Sequence, residues 1–434
     1  MATHVLTTWN PEDAAFWNAE GKSIAQRNLW ISIPALFLSF AVWMVWSVVV
    51  VNLPNIGFHY TTDQLFWLAA LPGLSGATLR IFYSFMVPLF GGRRWTAIST
   101  ASLLVPALGI GLAVQNPRTP YSTMLILSLL CGLGGGNFAS SMSNISFFFP
   151  KAQKGTALGL NAGLGNLGVS AVQFVVPIVI TVALFGPLGG GPQTWTRGGE
   201  TKSIWLQNAG FVWVPFIAVS AIAAWFGMND LSTARASFRE QAVIFRRKHN
   251  WLMCWLYLGT FGSFIGYSAA LPLLIKGQFP SIDPTKFAFL GPLLGALARP
   301  VGGWVSDKLG GAPVTFWNFI VMTLAAIGVI YTLDGPFWAF LALFILLFIT
   351  TGIGNASTFR MIPIIFPGTE AAAVLGFSSA IAAYGGFFIP KSFGTSIAKT
   401  GGPQAALIGF VLFYLTCIAI TWWYYSRKNA EVKC

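Results

Sequence analysis

The stretch GATLR at residues 76–80 has a counterpart, GALAR, at residues 295–299, and a Gly-Gly pair follows each arginine by eleven residues. A second pair of stretches, LGLNAGLGNLG at residues 158–168 and LGFSSAIAAYG at residues 375–385, occurs in the same order. A proline lies nine residues before the first glycine of each member of this second pair. Collinear matches at nearly constant offset indicate that the chain is a duplication of one structural unit.

The amino-acid composition indicates whether this duplicated unit lies in water or in a membrane. Of the 434 residues, 55% are hydrophobic and only 9% are charged, whereas about 25% of the residues of a soluble protein are charged. Composition therefore excludes a soluble enzyme or a nucleic-acid-binding protein, despite the formal net charge of +13. A lipid bilayer is the expected environment, with about 20 to 25 residues for each spanning helix.

The sequence predicts an all-α membrane protein with twelve transmembrane helices, six in each repeat. The apolar segments are 30–52, 64–90, 95–114, 121–149, 156–186, 204–228, 250–275, 286–305, 313–333, 336–366, 372–398 and 404–425. Two parallel six-helix bundles with a central cavity between them are the plan of a rocking transporter rather than of a channel. The predicted units are a cytoplasmic segment (1–29), a first bundle (30–228), a cytoplasmic linker (229–249), a second bundle (250–426) and a cytoplasmic tail (427–434).

The distribution of Lys and Arg predicts the orientation. With both termini inside the cell, the inner loops carry sixteen of these residues and the outer loops carry six. Because cytoplasmic loops are enriched in Lys and Arg, both termini are predicted to be cytoplasmic. The five cations of the linker are explained by this orientation and by contacts with lipid headgroups. Lys391, near the outer end of span eleven, is expected to extend toward the headgroups.

Two arginines lie deep inside predicted spans. Arg80 is the seventeenth residue of span two and Arg299 the fourteenth of span eight, and a cation at the bilayer centre costs at least a few kcal/mol. A salt bridge is the usual explanation, but all twelve acidic residues fall in termini, loops or span ends. Matched positions would direct both side chains into the central cavity. The expected countercharge is a transported anion, because a guanidinium donates two parallel hydrogen bonds to an oxyanion.

The same inventory of ionisable residues indicates whether anion transport is coupled to protons. His4, His59 and His249 all lie outside the predicted spans, so a proton symporter has no obvious carrier. An exchanger needs none, since two uncompensated arginines disfavour closure around an empty cavity and a bound anion permits it. We therefore expect obligatory anion exchange, with proton-coupled symport as the alternative. A membrane enzyme would need a nucleophile–base pair or metal ligands at depth, and the inventory offers neither.

Candidate lining residues indicate the size of the anion. They are aromatic residues and neutral hydrogen-bond donors of four spans: Phe138, Tyr257, Phe261, Asn137, Asn166 and Ser379. Aromatic faces restrict a slot to flat, small ligands, and neutral donors tolerate low charge. A monovalent planar anion therefore fits better than a phosphate. The general alternative for each aromatic residue is a place in the core or against lipid.

Four segments carry a family resemblance. GGGNFASSM at residues 134–142 and the stretches 147–150, 155–167 and 376–388 resemble the nitrate/nitrite porter family of the major facilitator superfamily, of the bacterial NarK type, and the likeness extends over essentially the whole chain. The resemblance implies that nitrate and nitrite are the substrates and that transport proceeds by alternating access in the bacterial inner membrane. No cofactor, metal ion or nucleic acid is expected, and we expect the protein to function as a monomer.

The resemblance also implies roles for individual residues. It implies that Arg80 and Arg299 clamp the anion, that Phe138 and Phe261 flank it, and that Tyr257, Asn166 and Ser379 donate hydrogen bonds to it. Gly135 and Gly376, from the same segments, complete the predicted substrate-binding residues. The family contains both exchangers and proton symporters, so the choice between them depends on the missing internal acid.

The glycine-rich stretches resemble the two signature motifs of that family. Their notable residues are Gly159, Asn161, Gly163 and Gly168 in span five and Ser378 and Gly385 in span eleven. Close helix packing through small residues is the expected role. A backbone lining for the substrate path is the alternative, favoured by Asn161, Asn166, Ser378 and Ser379.

The loops after spans two and eight are predicted to hold gating residues. In this superfamily an acid normally precedes the Gly-Arg-Arg of the first loop. Arg93 and Arg94 follow Gly91 and Gly92 without such an acid, whereas Asp307 keeps it in the second loop. The gating contact of the first half therefore has no assigned acidic partner in the sequence.

Overall fold

The computed structural model describes residues 4–232, 234, 242–366 and 369–434. In this part of the chain, twelve helices are long and apolar enough to cross a membrane, which confirms the predicted all-α fold. They are α1 (Ala14–Ile56), α2 (Thr62–Tyr83), α3 (Gly92–Ala113), α4 (Tyr121–Phe148), α5 (Lys151–Val179), α6 (Asn208–Gly227), α7 (Lys248–Gln278), α8 (Pro284–Leu309), α9 (Gly311–Thr332), α10 (Phe337–Ile365), α11 (Ala373–Thr400) and α12 (Gln404–Ser426).

Three helices have ends that differ clearly from the apolar segments of the sequence. Helix α2 ends at Tyr83 rather than 90, and a separate short helix, Met86–Phe90, follows it. Helix α1 begins at Ala14, sixteen residues before the predicted apolar run, because the Asp13 side chain accepts a hydrogen bond from the backbone N–H of Ala15 (2.9 Å) and caps the helix. Helix α5 ends at Val179 rather than 186, where a glycine-rich connection begins. The predicted segments 1–29 and 229–249 and the proline at 367 lie partly or wholly outside the described residues.

Four short strands lie outside the helices. Strands β1 (Val5–Leu6) and β4 (Asp230–Leu231) form a parallel pair that joins the start of the chain to the connection after α6. Strands β2 (Gln193–Arg197) and β3 (Glu200–Ile204) form an antiparallel hairpin between α5 and α6. Since the number of spans is even, both termini lie at one face of the molecule, here called the terminal face, and the hairpin lies at the opposite, distal face.

The two six-helix bundles meet closely from mid-membrane to the distal face. A Cβ atom on Gly73 of α2 would lie 2.2 Å from the carbonyl carbon of Gly386 of α11, so these helices approach to backbone contact. Among the described residues, four side chains join the bundles in the distal half: Lys391 to the carboxylate of Asp63, Lys276 to the carbonyl of Val51, Gln173 to the carbonyl of Ser268, and Arg197 to the carbonyls of Pro280 and Ile282. The distal face is therefore closed.

The terminal half of the interface between the bundles differs from the distal half. Among the described residues, no hydrogen bond or ion pair joins the bundles between the level of Arg80 and that face. Cβ atoms built on Gly155, Gly159 and Gly163 of α5, and on Gly376 of α11, would meet nothing within 4 Å. The structure is thus open toward the terminal face.

Candidate anion-binding site

Arg80 joins the two bundles through backbone carbonyls. Its side chain is fully buried on α2, in a helix that begins with a capping box between Thr61 and Gln64. The Nε atom donates to the carbonyl of Gly135 on α4 (2.7 Å), and Nη1 donates to the carbonyl of Ser379 on α11 (3.1 Å). Neither acceptor carries a charge, so the cation is held in position without being neutralised.

Aromatic rings surround the Arg80 guanidinium. Its Cζ atom lies 4.7 Å from the ring centroid of Phe138, 5.0 Å from that of Trp43 and 5.2 Å from that of Phe261. Phe138 and Phe261 come from opposite bundles and stack with their centroids 6.2 Å apart. Ring faces stabilise a cation by their quadrupole and leave its hydrogen-bond donors free. Trp43 was not among the residues predicted from the sequence.

Arg299 occupies the matching position on α8 and connects to Arg80 through a row of rings. Its Cζ atom lies 5.4 Å from the centroid of Phe359. Phe359 stacks on Tyr257 at 4.5 Å, and Tyr257 stacks on Phe261 at 5.4 Å, the ring that also contacts Arg80. The Tyr257 hydroxyl interacts electrostatically with Arg299 and Arg80. The structure therefore brings both predicted arginines and the three predicted aromatic residues into one site.

Three hydrogen-bond donors at this site are buried and have no acceptor. They are Nη2 of Arg80, Nη1 of Arg299 and the hydroxyl of Tyr257. None of the ion pairs in the described part of the chain includes Arg80 or Arg299. Buried donors without a partner carry a desolvation cost of about 1 to 3 kcal/mol each, more where charged. A small oxyanion among these donors would satisfy them and compensate the charge.

The other predicted site residues act mainly through their backbones. The carbonyl of Gly135 accepts from Arg80, and a Cβ atom there would lie 2.6 Å from the Trp43 side chain. The Ser379 hydroxyl donates within its own helix to the carbonyl of Gly376 (2.8 Å), so the hydroxyl is not a free donor. Asn166 is buried with its Oδ1 atom unpartnered. In this structure, Gly135, Gly376 and Ser379 position or support the site.

The predicted signature residues divide into packed and unpacked groups. A Cβ atom on Gly168 would lie 2.1 Å from the Phe37 carbonyl oxygen of α1, and one on Gly385 would lie 2.4 Å from the Cα atom of Gly262. Gly159 and Gly163 instead face open space, so helix packing does not explain them in this conformation.

Two polar signature residues make hydrogen bonds to other groups of the protein. Asn161 is buried and donates to the Ser141 hydroxyl of α4 (2.8 Å). The Ser378 hydroxyl donates to the carbonyl of Leu375 in its own helix (3.3 Å). Both therefore contribute to packing in this conformation, which was the expected role of these stretches, rather than to the alternative, a lining of the substrate path.

The predicted gating residues form ion pairs near the terminal face. Arg93 pairs with the buried carboxylate of Asp230 (3.3 Å), and Asp230 also accepts from the backbone N–H of Arg93 (2.8 Å) and approaches Arg94 at 3.7 Å. The missing acid of the first loop is thus supplied from beyond α6. In the second half, Asp307 pairs with Arg360 (2.6 Å) in an exposed position.

Lys391 contacts a protein partner where headgroup contact was expected. Its Nζ atom lies 2.6 Å from Asp63 of α2 and 4.4 Å from the ring centroid of Trp67. The two charged residues are 328 positions apart in the chain, and no local pattern in the sequence relates them. This contact belongs to the closed distal face.

These features define a membrane transporter of two six-helix repeats, with a pair of arginines connected by a row of aromatic rings. The chain belongs to the Major Facilitator Superfamily, whose family profile matches residues 35–390. It is 51% identical to the nitrate/nitrite transporter NarU of Escherichia coli, over 99% of this chain and 98% of the relative. It is 49% identical to the probable nitrate/nitrite antiporter NarK2 of Thermus thermophilus, with the same coverage.

Solved structures support the same fold at low sequence identity. A D-xylose-proton symporter superposes with a TM-score of 0.72 at 13% identity, covering 92% of this chain and 97% of the other. A bacterial homologue of the lysosomal transporter Spinster, in an inward-facing and unoccupied conformation, superposes with a TM-score of 0.67 at 15% identity, covering 92% of this chain and 96% of the other. At these identities the likeness concerns the fold alone.

Proposed function

We propose that the protein exchanges nitrate and nitrite across the bacterial inner membrane by alternating access. The carrying observation is the set of three buried, unpartnered donors on Arg80, Arg299 and Tyr257 with no carboxylate paired to either arginine. The relatives at 51% and 49% identity are named as a nitrate/nitrite transporter and a probable nitrate/nitrite antiporter, which supports the choice of anion. The proposed activity is transport, not catalysis.

The site geometry suits a small, flat, monovalent anion. The stacked rings of Phe138 and Phe261 come from the two bundles and would close on the two faces of a planar ligand. Arg80 and Arg299, from opposite bundles, would donate to its oxygens in the ligand plane. A tetrahedral phosphate would need more room between the rings and more positive charge to compensate it.

Exchange follows from the uncompensated charge. Closing the terminal face around an empty site would bring two guanidinium groups into a water-poor cavity, where like-charge repulsion and desolvation both oppose closure. A bound anion removes both costs and bridges the bundles. The protein would then change state only when loaded, as obligatory exchange requires.

The Lys and Arg distribution supports a cytoplasmic terminal face. The structure, open toward that face, would then be an inward-open state. The central site lies within one chain and uses residues of both its bundles, which supports function as a monomer in the bilayer.

Counterflow in proteoliposomes tests the proposal. Nitrite trapped inside should accelerate entry of labelled nitrate at least severalfold, and dissipating a pH gradient should leave the rate unchanged. Uptake into vesicles that hold no internal anion, driven by a pH gradient alone, would instead support the alternative of proton-coupled nitrate symport. Vesicles without protein and vesicles holding chloride are the controls.

A further inference from the structure

A lateral groove runs along α11 and α12 next to the distal face. It has a volume of about 580 Å³. We use the name for the space lined by Lys391, Ser392, Thr395 and Lys399 of α11 and by Ala405 and Gly409 of α12. This groove is separate from the central site, because the two share no residue: the groove is lined by the part of α11 from Phe388 onward, whereas Ser379 of the central site lies earlier in the helix.

The spacing of residues on both helices creates the groove. Lys391, Thr395 and Lys399 follow one another at four-residue intervals and therefore share one face of α11. Opposite them, α12 presents small residues, and a Cβ atom on Gly409 would meet nothing within 4 Å. Larger side chains on this face of α12 would fill the space. Thr395 and Lys399 on the polar face of α11 consequently face the groove, whereas Lys391 is paired with Asp63.

The two ends of the groove differ: an exposed lysine lies at its distal end, and aromatic residues lie deeper in the membrane, where its second lysine, Lys391, is paired with Asp63. Lys399 is exposed near the distal end of α11, and no ion pair of the described residues includes it. Deeper in the membrane, the groove is bordered by Phe388, which is 54% exposed, and by Phe410. The hydroxyl groups of Ser392 and Thr395 lie between these two ends. A ligand with an anionic head and an apolar tail matches this order.

We propose that the lateral groove binds an anionic phospholipid from the leaflet at the distal face. The phosphate would lie against Lys399 with the hydroxyls of Ser392 and Thr395 as donors, and an acyl chain would run along Phe388. The groove also contains Lys391, whose ammonium pairs with Asp63 of the other bundle. A bound phosphate would compete with Asp63 for that ammonium and so weaken the distal contact between the bundles.

Native mass spectrometry of the full-length protein released from nanodiscs tests the proposal. The nanodiscs contain equal amounts of phosphatidylglycerol, which is anionic, and phosphatidylethanolamine, which has no net charge. We expect retained phosphatidylglycerol to exceed phosphatidylethanolamine severalfold. The charge variant Lys399→Gln and the filling variant Gly409→Phe should both reduce this preference at least threefold. The matched control Lys286→Gln changes an exposed lysine near the distal face that lies outside the groove and should leave the preference intact.

Several outcomes would overturn the assignment. Equal retention of the two lipids, or an equal loss in Lys286→Gln, would show a general surface charge effect. Displacement of the lipid by soluble glycerol phosphate at similar concentration would show a site for free anions instead. Nitrate binding by Lys399→Gln and Gly409→Phe serves as the folding check, because neither residue contacts the central site. The proposal is independent of the proposed exchange and can fail without it.

Discussion

Arg80 and Arg299 hold matching positions in the two repeats, yet their surroundings differ. Arg80 is fully buried, donates to two backbone carbonyls and lies against three aromatic rings. Arg299 is partly exposed and lies against the single ring of Phe359, with the Tyr257 hydroxyl as a polar neighbour. The two repeats thus share the position of the arginine but differ in the residues that contact it.

The difference assigns unequal tasks to the two cations. Arg80 has little freedom to move, because its Nε and Nη1 atoms are fixed and only Nη2 remains unpartnered. Arg299 can follow an anion as the bundles move, since its main neighbour is a ring that tolerates several guanidinium orientations. We infer that Arg80 provides the fixed part of the site and Arg299 the adjustable part.

Replacing each arginine by lysine tests this inequality and should give the largest effect. Arg80→Lys should lower nitrate affinity by about 100-fold, because lysine keeps the charge and loses both the fork and the carbonyl contacts, at about 1.5 to 3 kcal/mol per charge-assisted bond. Arg299→Lys should lower the affinity by about tenfold. The measurement is the nitrate dissociation constant of the purified protein.

Arg118→Lys is the matched control, since Arg118 is exposed in the loop between α3 and α4. Equal losses at Arg80 and Arg299 would refute the division into fixed and adjustable parts. Normal affinity in both variants would remove the anion from this site altogether.

The arginine pair was predictable from the sequence, but the groups that hold Arg80 in position were not. Both cations followed from their depth in apolar segments and from the absence of acids nearby in the chain. The carbonyls of Gly135 and Ser379 have no signal of their own, because every residue has a carbonyl and only the fold selects these two. Asp230 lies 137 positions from Arg93, so its pairing depends on tertiary structure rather than on a local motif.

The glycines of α5 also show what the sequence alone does not predict, because only some of them pack against another helix. Gly159 and Gly168 belong to one glycine-rich stretch of α5, and the pattern favoured packing for both. Only Gly168 packs, against α1. The sequence reports that side chains are absent, and the conformation decides which of the gaps are filled.

Asp230 and Asp307, the acids of the two bundles near the terminal face, are expected to contribute unequally to stability. Asp230→Ala should lower the free energy of unfolding by about 2 to 3 kcal/mol, because it leaves Arg93 buried without its carboxylate and removes an acceptor from the start of α3. Asp307→Ala should cost less than about 1 kcal/mol, since the pair with Arg360 is exposed. Unfolding in mixed detergent micelles measures both.

The double variant Asp230→Ala/Arg93→Ala serves as the control for the first loop. It should recover part of the lost stability, because it removes the uncompensated cation as well. Equal losses for Asp230→Ala and Asp307→Ala would contradict the difference in burial.

Removing the Tyr257 hydroxyl should have a smaller effect on the anion. Tyr257→Phe keeps the stacking on Phe359 and deletes one unpartnered donor, so nitrate affinity should fall about three- to tenfold, or about 0.5 to 1.5 kcal/mol. A double-mutant cycle should give stronger coupling to Arg299→Lys than to Arg80→Lys, since Arg299 is the stronger electrostatic neighbour of Tyr257.

Tyr414→Phe is the matched control for this hydroxyl. Tyr414 is equally buried, but its hydroxyl is hydrogen-bonded to Ser263 (2.7 Å) and Tyr267 (2.6 Å). The control should lower stability and leave nitrate affinity unchanged. An unchanged affinity in Tyr257→Phe would remove that hydroxyl from the proposed set of anion ligands.

The smallest effect concerns how each bundle holds the start of its third helix. In the first bundle the Asp230 carboxylate accepts from the start of α3. In the second, the backbone N–H of Ala312 at the start of α9 donates to the carbonyl of Cys434 (3.2 Å), in a tail whose Glu431 pairs with Lys248 (2.6 Å). Hydrogen bonding to Lys248 lowers the pKa of Glu431 below its ordinary value.

A lowered pKa makes this tail contact sensitive to acid. The contribution of Glu431 is fully present above the ordinary carboxyl pKa of about 4.3 and is lost as the pH falls through the lowered value. Hydrogen exchange of residues 427–434 should therefore stay constant from pH 7 to about pH 5 and accelerate at lower pH, when intrinsic rates are corrected for pH. Glu431→Gln should exchange fast throughout that range, while the start of α3 keeps its protection. An equal acceleration at α3 would show that acid opens both bundles rather than the tail of the second.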